Sequence, residues 1–136
     1  MRVAIFEDDK GRCNIVSPSA SSVREGIDLD LLFSEASKGK EYTVVETHEL
    51  PDKYFRDAWK KHNKIIKIDM HKARQIHMDN IRIKRNIKLA ELDVETLKGN
   101  DVEEQKQILR DIPANFDLTI AKTPTDLKKL MPENII

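Results

Sequence analysis

The run Asp69-Met70-His71-Lys72-Ala73-Arg74-Gln75-Ile76-His77-Met78-Asp79-Asn80-Ile81-Arg82-Ile83-Lys84-Arg85-Asn86-Ile87-Lys88-Leu89-Ala90-Glu91-Leu92-Asp93-Val94-Glu95-Thr96-Leu97 holds neither proline nor glycine. Asp69 is a suitable N-terminal cap for it. Apolar or small residues fall at 73, 76, 83, 87, 90, 94 and 97, and with position 80 the spacing is 3,4,3,4,3,4,3. That spacing predicts one long helix with a heptad seam about four repeats long. The helix would extend roughly 45 Å at 1.5 Å per residue. Asn80 is the polar member of the seam, the kind of residue that fixes register or oligomer number at some cost in stability. Ile81, Leu89 and Leu92 widen the apolar surface.

Downstream, Gly99-Asn100 is a helix-stop signal. Asp101, with Glu104 three residues later, predicts a second helix whose stripe is Val102, Gln105, Leu109 and Ile112, stopped by Pro113. The short turn folds this helix back on the last turns of the long one. It is too short to cover the whole seam, so the first half needs either the preceding β part or a second copy of the chain. Thr123-Pro124 starts a short last helix with Leu127, Leu130 and Met131 inward, ended by Pro132.

Upstream, Arg2-Val3-Ala4-Ile5-Phe6 and Cys13-Asn14-Ile15-Val16 flank Asp8-Asp9-Lys10-Gly11, a hairpin pattern. Either positions 3 and 5 or positions 4 and 6 could form its buried face. Residues 17–22 read as a loop. Asp28 or Asp30 can cap a short helix through Ala36, with Leu29, Leu32, Phe33 and Ala36 on one face. Tyr42-Thr43-Val44-Val45 is a further strand. Trp59 to Lys61 and Ile65 to Ile68 form a second hairpin around His62-Asn63-Lys64. The fold class is therefore α+β: a small N-terminal antiparallel β-sheet with a short helix over 1–68, then a long helix, a helical hairpin and a short C-terminal helix over 69–136.

Composition narrows the function. The 136 residues include 24 Lys plus Arg and 24 Asp plus Glu, so the formal net charge is zero although 35% of the chain is charged. The zero conceals segregation: residues 1–52 carry 6 basic and 11 acidic side chains, 53–88 carry 12 and 3, and 89–111 carry 3 and 7. No stretch approaches the ~20 apolar residues of a membrane span. The opening residues are too short and too acidic for a signal peptide. A single cysteine, Cys13, excludes an intramolecular disulfide framework, and a reducing cytoplasm is the expected compartment.

Candidate chemistry is sparse. His71 and His77 stand about 240° apart around a helix and cannot share a metal on one face. His77 is expected at the helix surface or the edge of the seam. Glu7-Asp8-Asp9 reads as a polar turn, since general acid/base work needs carboxyls in different environments. Cys13 reads as a small core residue. No glycine-rich phosphate loop and no Gly-x-Ser-x-Gly is present. The sequence thus points to no enzyme, no cofactor and no metal. Two surfaces remain. One is a protein interface at Ile76, Asn80, Ile83 and Ile87, with Trp59 as an aromatic anchor. The other is nucleic-acid contact through Lys60, Lys61, Arg74, Arg82 and Arg85 in the basic block.

A resemblance adds to this. Phe55-Arg56-Asp57-Ala58-Trp59, Ile68 to His77 and Asn80-Ile81-Arg82, followed by Leu89-Ala90-Glu91-Leu92-Asp93-Val94-Glu95, resemble small bacterial prophage proteins common in alphaproteobacteria. Lys106-Gln107, Leu109-Arg110-Asp111-Ile112-Pro113, Thr123-Pro124, Leu127-Lys128 and Pro132 continue the likeness, which spans about residues 55–132. The end of the second helix is similar to C-terminal helices of phage tail-fibre assembly and tail assembly chaperone proteins. The chain departs from that pattern in being rich in Lys and Ile where relatives carry Ala and Arg. The resemblance implies a cytoplasmic, non-catalytic accessory factor for a phage tail component, acting by self-association or partner capture, and it transfers no catalytic residue.

Overall fold

The computed structural model describes residues 1–135 and divides into two compact units, Met1–Asp69 and Met70–Ile136. The first contains five strands, β1 (Arg2–Glu7), β2 (Cys13–Val16), β3 (Thr43–Glu46), β4 (Trp59–His62) and β5 (Ile65–Ile68), and two helices, α1 (Ala20–Arg24) and α2 (Leu29–Ala36). The second contains α3 (Met70–Leu97), α4 (Glu103–Asn115) and α5 (Pro124–Lys129). This is the expected α+β arrangement: an N-terminal antiparallel sheet, then a long helix and further C-terminal helices.

In the first unit the strands form two sheets. One has three antiparallel strands in the order β2-β1-β3, and the other is the β4–β5 hairpin. β1 is central, with both edges paired, and both of its faces are covered too: Val3, Ala4 and Ile5 are all buried. The choice between odd and even positions therefore resolves as both. On the odd face, Ile5 pairs with Ile15 and Val3 with Val45. Ile5, Cys13 and Trp59 form a core there, with Ile15, Val45, Leu50, Ile66 and Ile68 packed around it. The β1–β2 turn is closed by one carboxylate. Asp8 Oδ1 accepts from the backbone N–H groups of Lys10 and Arg12, both at 2.9 Å, and Oδ2 accepts from Arg12 Nε at 3.0 Å. Gly11, at φ 75°, lets the turn close where a side chain would be strained. The second turn opens on Asn63 at φ 56°, a conformation asparagine tolerates.

Residues 17–22, read as a loop from composition, contain the start of α1. Ser19 caps it by accepting from the Ser22 backbone N–H at 3.1 Å. A serine-rich stretch supplies helix caps as readily as turns, and composition cannot separate the two. Asp28 caps α2 as expected, and Phe33 is its buried residue.

In the second unit α3 ends at the predicted stop. Gly99 adopts φ 92°, and the N–H of Asn100 bonds to the Glu95 carbonyl at 3.1 Å. α4 does not stop at Pro113, which lies inside it. Proline removes one bond in what is already the last turn. That turn is held by the Phe116 N–H on the Ile112 carbonyl at 2.8 Å and by the burial of Leu109 and Ile112. Lys106, not Gln105, completes the buried stripe of α4, and its ammonium meets Asp93 Oδ1 of α3 at 2.9 Å. Thr123 caps α5, with Pro124 in its first turn and Leu127 buried. A last 3₁₀ turn, Glu133–Ile135, buries Ile135.

Bonds to its own turn hold the Asp8 carboxyl at about 2, the Arg12 backbone N–H contributing most. A carboxyl depressed in the folded state stabilises above its ordinary value of 3.8, and that contribution is lost as pH falls through about 2. Asp8→Asn is therefore expected to lower the urea midpoint at neutral pH, with the gap to wild type closing below about pH 4. A gap that stays constant into strong acid contradicts this reading.

Candidate interaction surface

The second unit covers only one side of α3. Ala73, His77 and Ile81 are its buried residues. They are spaced four apart, and Lys88 and Leu92, half-buried, continue that side. The heptad seam faces elsewhere. At 3.6 residues per turn its centre lies about 100° around the helix from the buried line. Ala73 belongs to both lines and is buried, but further along the seam stands in water: Ile83 is 58% exposed, Ile87 58%, Val94 50% and Leu97 87%. Ile76 and Asn80, nearer the start of the helix, are half-buried. The four proposed seam residues thus form two pairs, one half-covered and one open.

His77 corrects the sequence reading. It is a core residue, not a surface or seam-edge one. Its Nε2–H donates to the Leu130 carbonyl at 2.6 Å, fixing the chain just after α5. The signal was present as the i, i+4, i+8 set 73, 77 and 81. A polar ring at its centre hid that set among the more regular heptad positions.

Trp59 likewise leaves the interface set. It is 3% exposed, within the core of the first unit. Its Nε1–H donates to the Asp52 carbonyl at 3.3 Å, and the Arg56 guanidinium lies 4.8 Å from its ring centroid. The neighbouring Tyr54 and Phe55 rings meet edge to face at 4.7 Å. The aromatic cluster is thus engaged in intramolecular contacts. Cys13 shares that core, and burial pushes its thiol up from the ordinary value, as expected for a packing residue and not a nucleophile.

The candidate nucleic-acid contacts fall in both units and are largely engaged. Lys60 pairs with Asp69 at 3.2 Å, while Lys61, next along the strand, points to the opposite face and is half-buried. Arg74 is half-buried and donates through Nη2 to the Ala121 carbonyl at 3.1 Å. Its Nε is buried with no hydrogen-bond partner among the described residues. Arg82 pairs with Asp79 at 2.8 Å, and Arg85 bonds to the Asn86 side-chain oxygen at 3.0 Å. Each of these contacts uses only part of its side chain's donors, and Arg74 and Arg85 bond to neutral oxygens.

Two open grooves flank α3 in the second unit. One, about 330 Å³, is lined by Lys88, Glu91, Leu92, Gln105, Ile108 and Leu109. A wider one, about 690 Å³, is lined by residues that include His71, Arg74, Asp79, Arg82 and Asp117. Asp117 is held below the ordinary carboxylate value, chiefly by the Thr119 hydroxyl and then by its backbone N–H. Both carry mixed charge, and in the wider one the Thr119 hydroxyl donates to Asp117 Oδ1 at 2.6 Å. Among the described residues no three His, Cys, Asp or Glu side chains gather in a way that could hold a metal ion. No described helix is long and apolar enough to cross a membrane. No protein-family model, curated protein or solved structure matches the chain.

The two faces of α3 make opposite predictions. Ile81→Ala should cost about 2–4 kcal/mol, since it opens a cavity in a closed core. Ile87→Ala should change stability by no more than about 0.5 kcal/mol in dilute, monomeric protein. Equal losses in chemical denaturation would mean that the buried side has been misplaced.

Proposed function

We propose that the protein is a non-enzymatic, protein-binding accessory factor whose working surface is the exposed apolar stripe of α3. The carrying observation is that Ile83, Ile87, Val94 and Leu97 follow the heptad spacing yet remain largely in water. Isolated exposed aliphatic residues are ordinary on a protein surface. A set repeated on one line of a helix, on the side facing away from its own core, is what helix-in-groove and coiled-coil recognition use. Covering the exposed half of each such side chain is worth ~1 kcal/mol. That is small against the cost of association, so the contact is expected to be reversible and concentration-dependent.

The resemblance to prophage tail-fibre assembly and tail assembly chaperone proteins supports the same reading. A chaperone for an aggregation-prone partner works by reversible burial of apolar surface, without catalysis. Self-association and capture of a phage tail component would use the same stripe, one occupant displacing the other.

Sedimentation velocity over a wide concentration range tests the surface. The wild-type chain should gain mass as concentration rises. The double variant Ile83→Glu with Ile87→Glu should remain a folded monomer with an unchanged circular dichroism spectrum. A wild-type chain that stays monomeric throughout, or a double variant that associates equally well, would remove the stripe as the site of self-association.

A further inference from the structure

We infer that the occupant of the α3 stripe is a second copy of this chain running antiparallel to the first, about a two-fold axis between Ile87 and Ala90. This rests on the reading of the stripe as a protein-binding surface and goes beyond it in naming partner, direction and register. The charge along α3 carries the direction. In the stretch that overlaps about this axis, residues 80–88 hold 4 basic and no acidic side chains, and residues 89–97 hold 3 acidic and no basic ones. Two copies side by side in the same direction set like charge beside like along their whole length. Reversing one of them sets the basic half against the acidic half, twice by symmetry.

The register follows from the heptad. Positions 80, 87 and 94 occupy one seam row, and 83, 90 and 97 the other. Antiparallel packing sets one row against the other. Ile83 then faces Val94 of the second copy, Ile87 faces Ala90, and Asn80 faces Leu97. The half-buried Asn80 therefore falls at the rim, where its amide keeps access to water.

The flanking charges agree with this register. Lys84 and Glu91 lie beside the stripe and come opposite each other across the axis. Lys84 makes no ion pair with a described residue, and Glu91 meets only Lys88, at the long distance of 3.7 Å. A parallel pair would instead call on Asp79 and Asp93 as flanking partners. Those carboxylates are already engaged, Asp79 with Arg82 at 2.8 Å and Asp93 with the buried ammonium of Lys106 at 2.9 Å.

Disulfide trapping in a Cys13→Ala background tests direction and register together, with mass measured on the same samples. An equimolar mixture of Ile83→Cys and Val94→Cys chains should cross-link under mild oxidation, whereas Ile83→Cys alone should not. In the antiparallel pair its two sulfurs are separated by about eleven residues of rise, or ~16 Å. In addition, Lys84→Glu should weaken association about tenfold at low salt, and adding Glu91→Lys should restore it. Cross-linking of Ile83→Cys alone would establish a parallel pair and overturn the inference while leaving the protein-binding surface standing. A dimer by mass that neither arrangement cross-links would place the contact on another face and likewise overturn it. A chain monomeric at every concentration would remove the second copy as occupant and self-association with it.

Discussion

A helix can turn only one side toward the core that its own chain supplies, and α3 carries apolar residues on two. Its 28 residues are faced by a 13-residue α4, a 6-residue α5 and a single closing 3₁₀ turn. Those short elements fill the line through Ala73, His77 and Ile81 and anchor to it by polar contacts at defined points. His77 holds the Leu130 carbonyl, Arg74 holds that of Ala121, and Lys106 crosses to Asp93. Once that side is satisfied, the rotation of the helix is fixed and the heptad line is left facing water. The open stripe is thus a consequence of how the second unit closes its own core.

The polar anchors fix how this core is seated. A buried carbonyl that loses its donor bears the full cost of desolvation, so the bonds of His77 to Leu130 and of Arg74 to Ala121 hold the 118–130 segment at defined points on α3. Apolar contact is indifferent to small slides along a helix, and a hydrogen bond is not. In the first unit the same division of labour holds. Ile5, Cys13 and Trp59 supply the apolar core, while Asp8 and Asp28 fix where a turn closes and where a helix starts.

Charge segregation takes on a different meaning once the contacts are known. The basic block of 53–88 looks in sequence like a ligand surface for phosphate. In the folded chain Lys60, Arg74, Arg82 and Arg85 each meet an acceptor of their own unit. Most of these are exposed pairs worth little individually. The ion pairs of Lys60 with Asp69 and of Arg82 with Asp79 offset charge locally, whereas Arg74 and Arg85 bond to neutral oxygens and keep theirs, which leaves a long-range asymmetry along α3, basic early and acidic late. An asymmetry of that kind steers orientation between like molecules more effectively than it attracts a uniform polyanion.

Local rules made much of the fold legible in the sequence alone. The absence of proline and glycine over 69–98 specified α3, Gly99 its end, and Asp28 and Thr123 the starts of two further helices. Alternating β-prone runs around Gly11 and Asn63 specified both hairpins. These signals act over a few residues, within the reach of one capping bond or one turn. Short amphipathic faces were legible too, with Phe33, Leu109, Ile112 and Leu127 buried as read. Which side of α3 and which aromatics face the core required the tertiary structure. Heptad spacing, the more regular of two periodicities on α3, marked the open side, while the side in use was the 73-77-81 line with a histidine at its centre. Trp59 read as an anchor for a partner and proved to be core, and Pro113 read as a terminator and proved to lie within α4. The physical reason is common to all three. Burial is decided by which surfaces are left to pair once all elements are in place, and that balance is a property of the assembled chain, not of any window of its sequence.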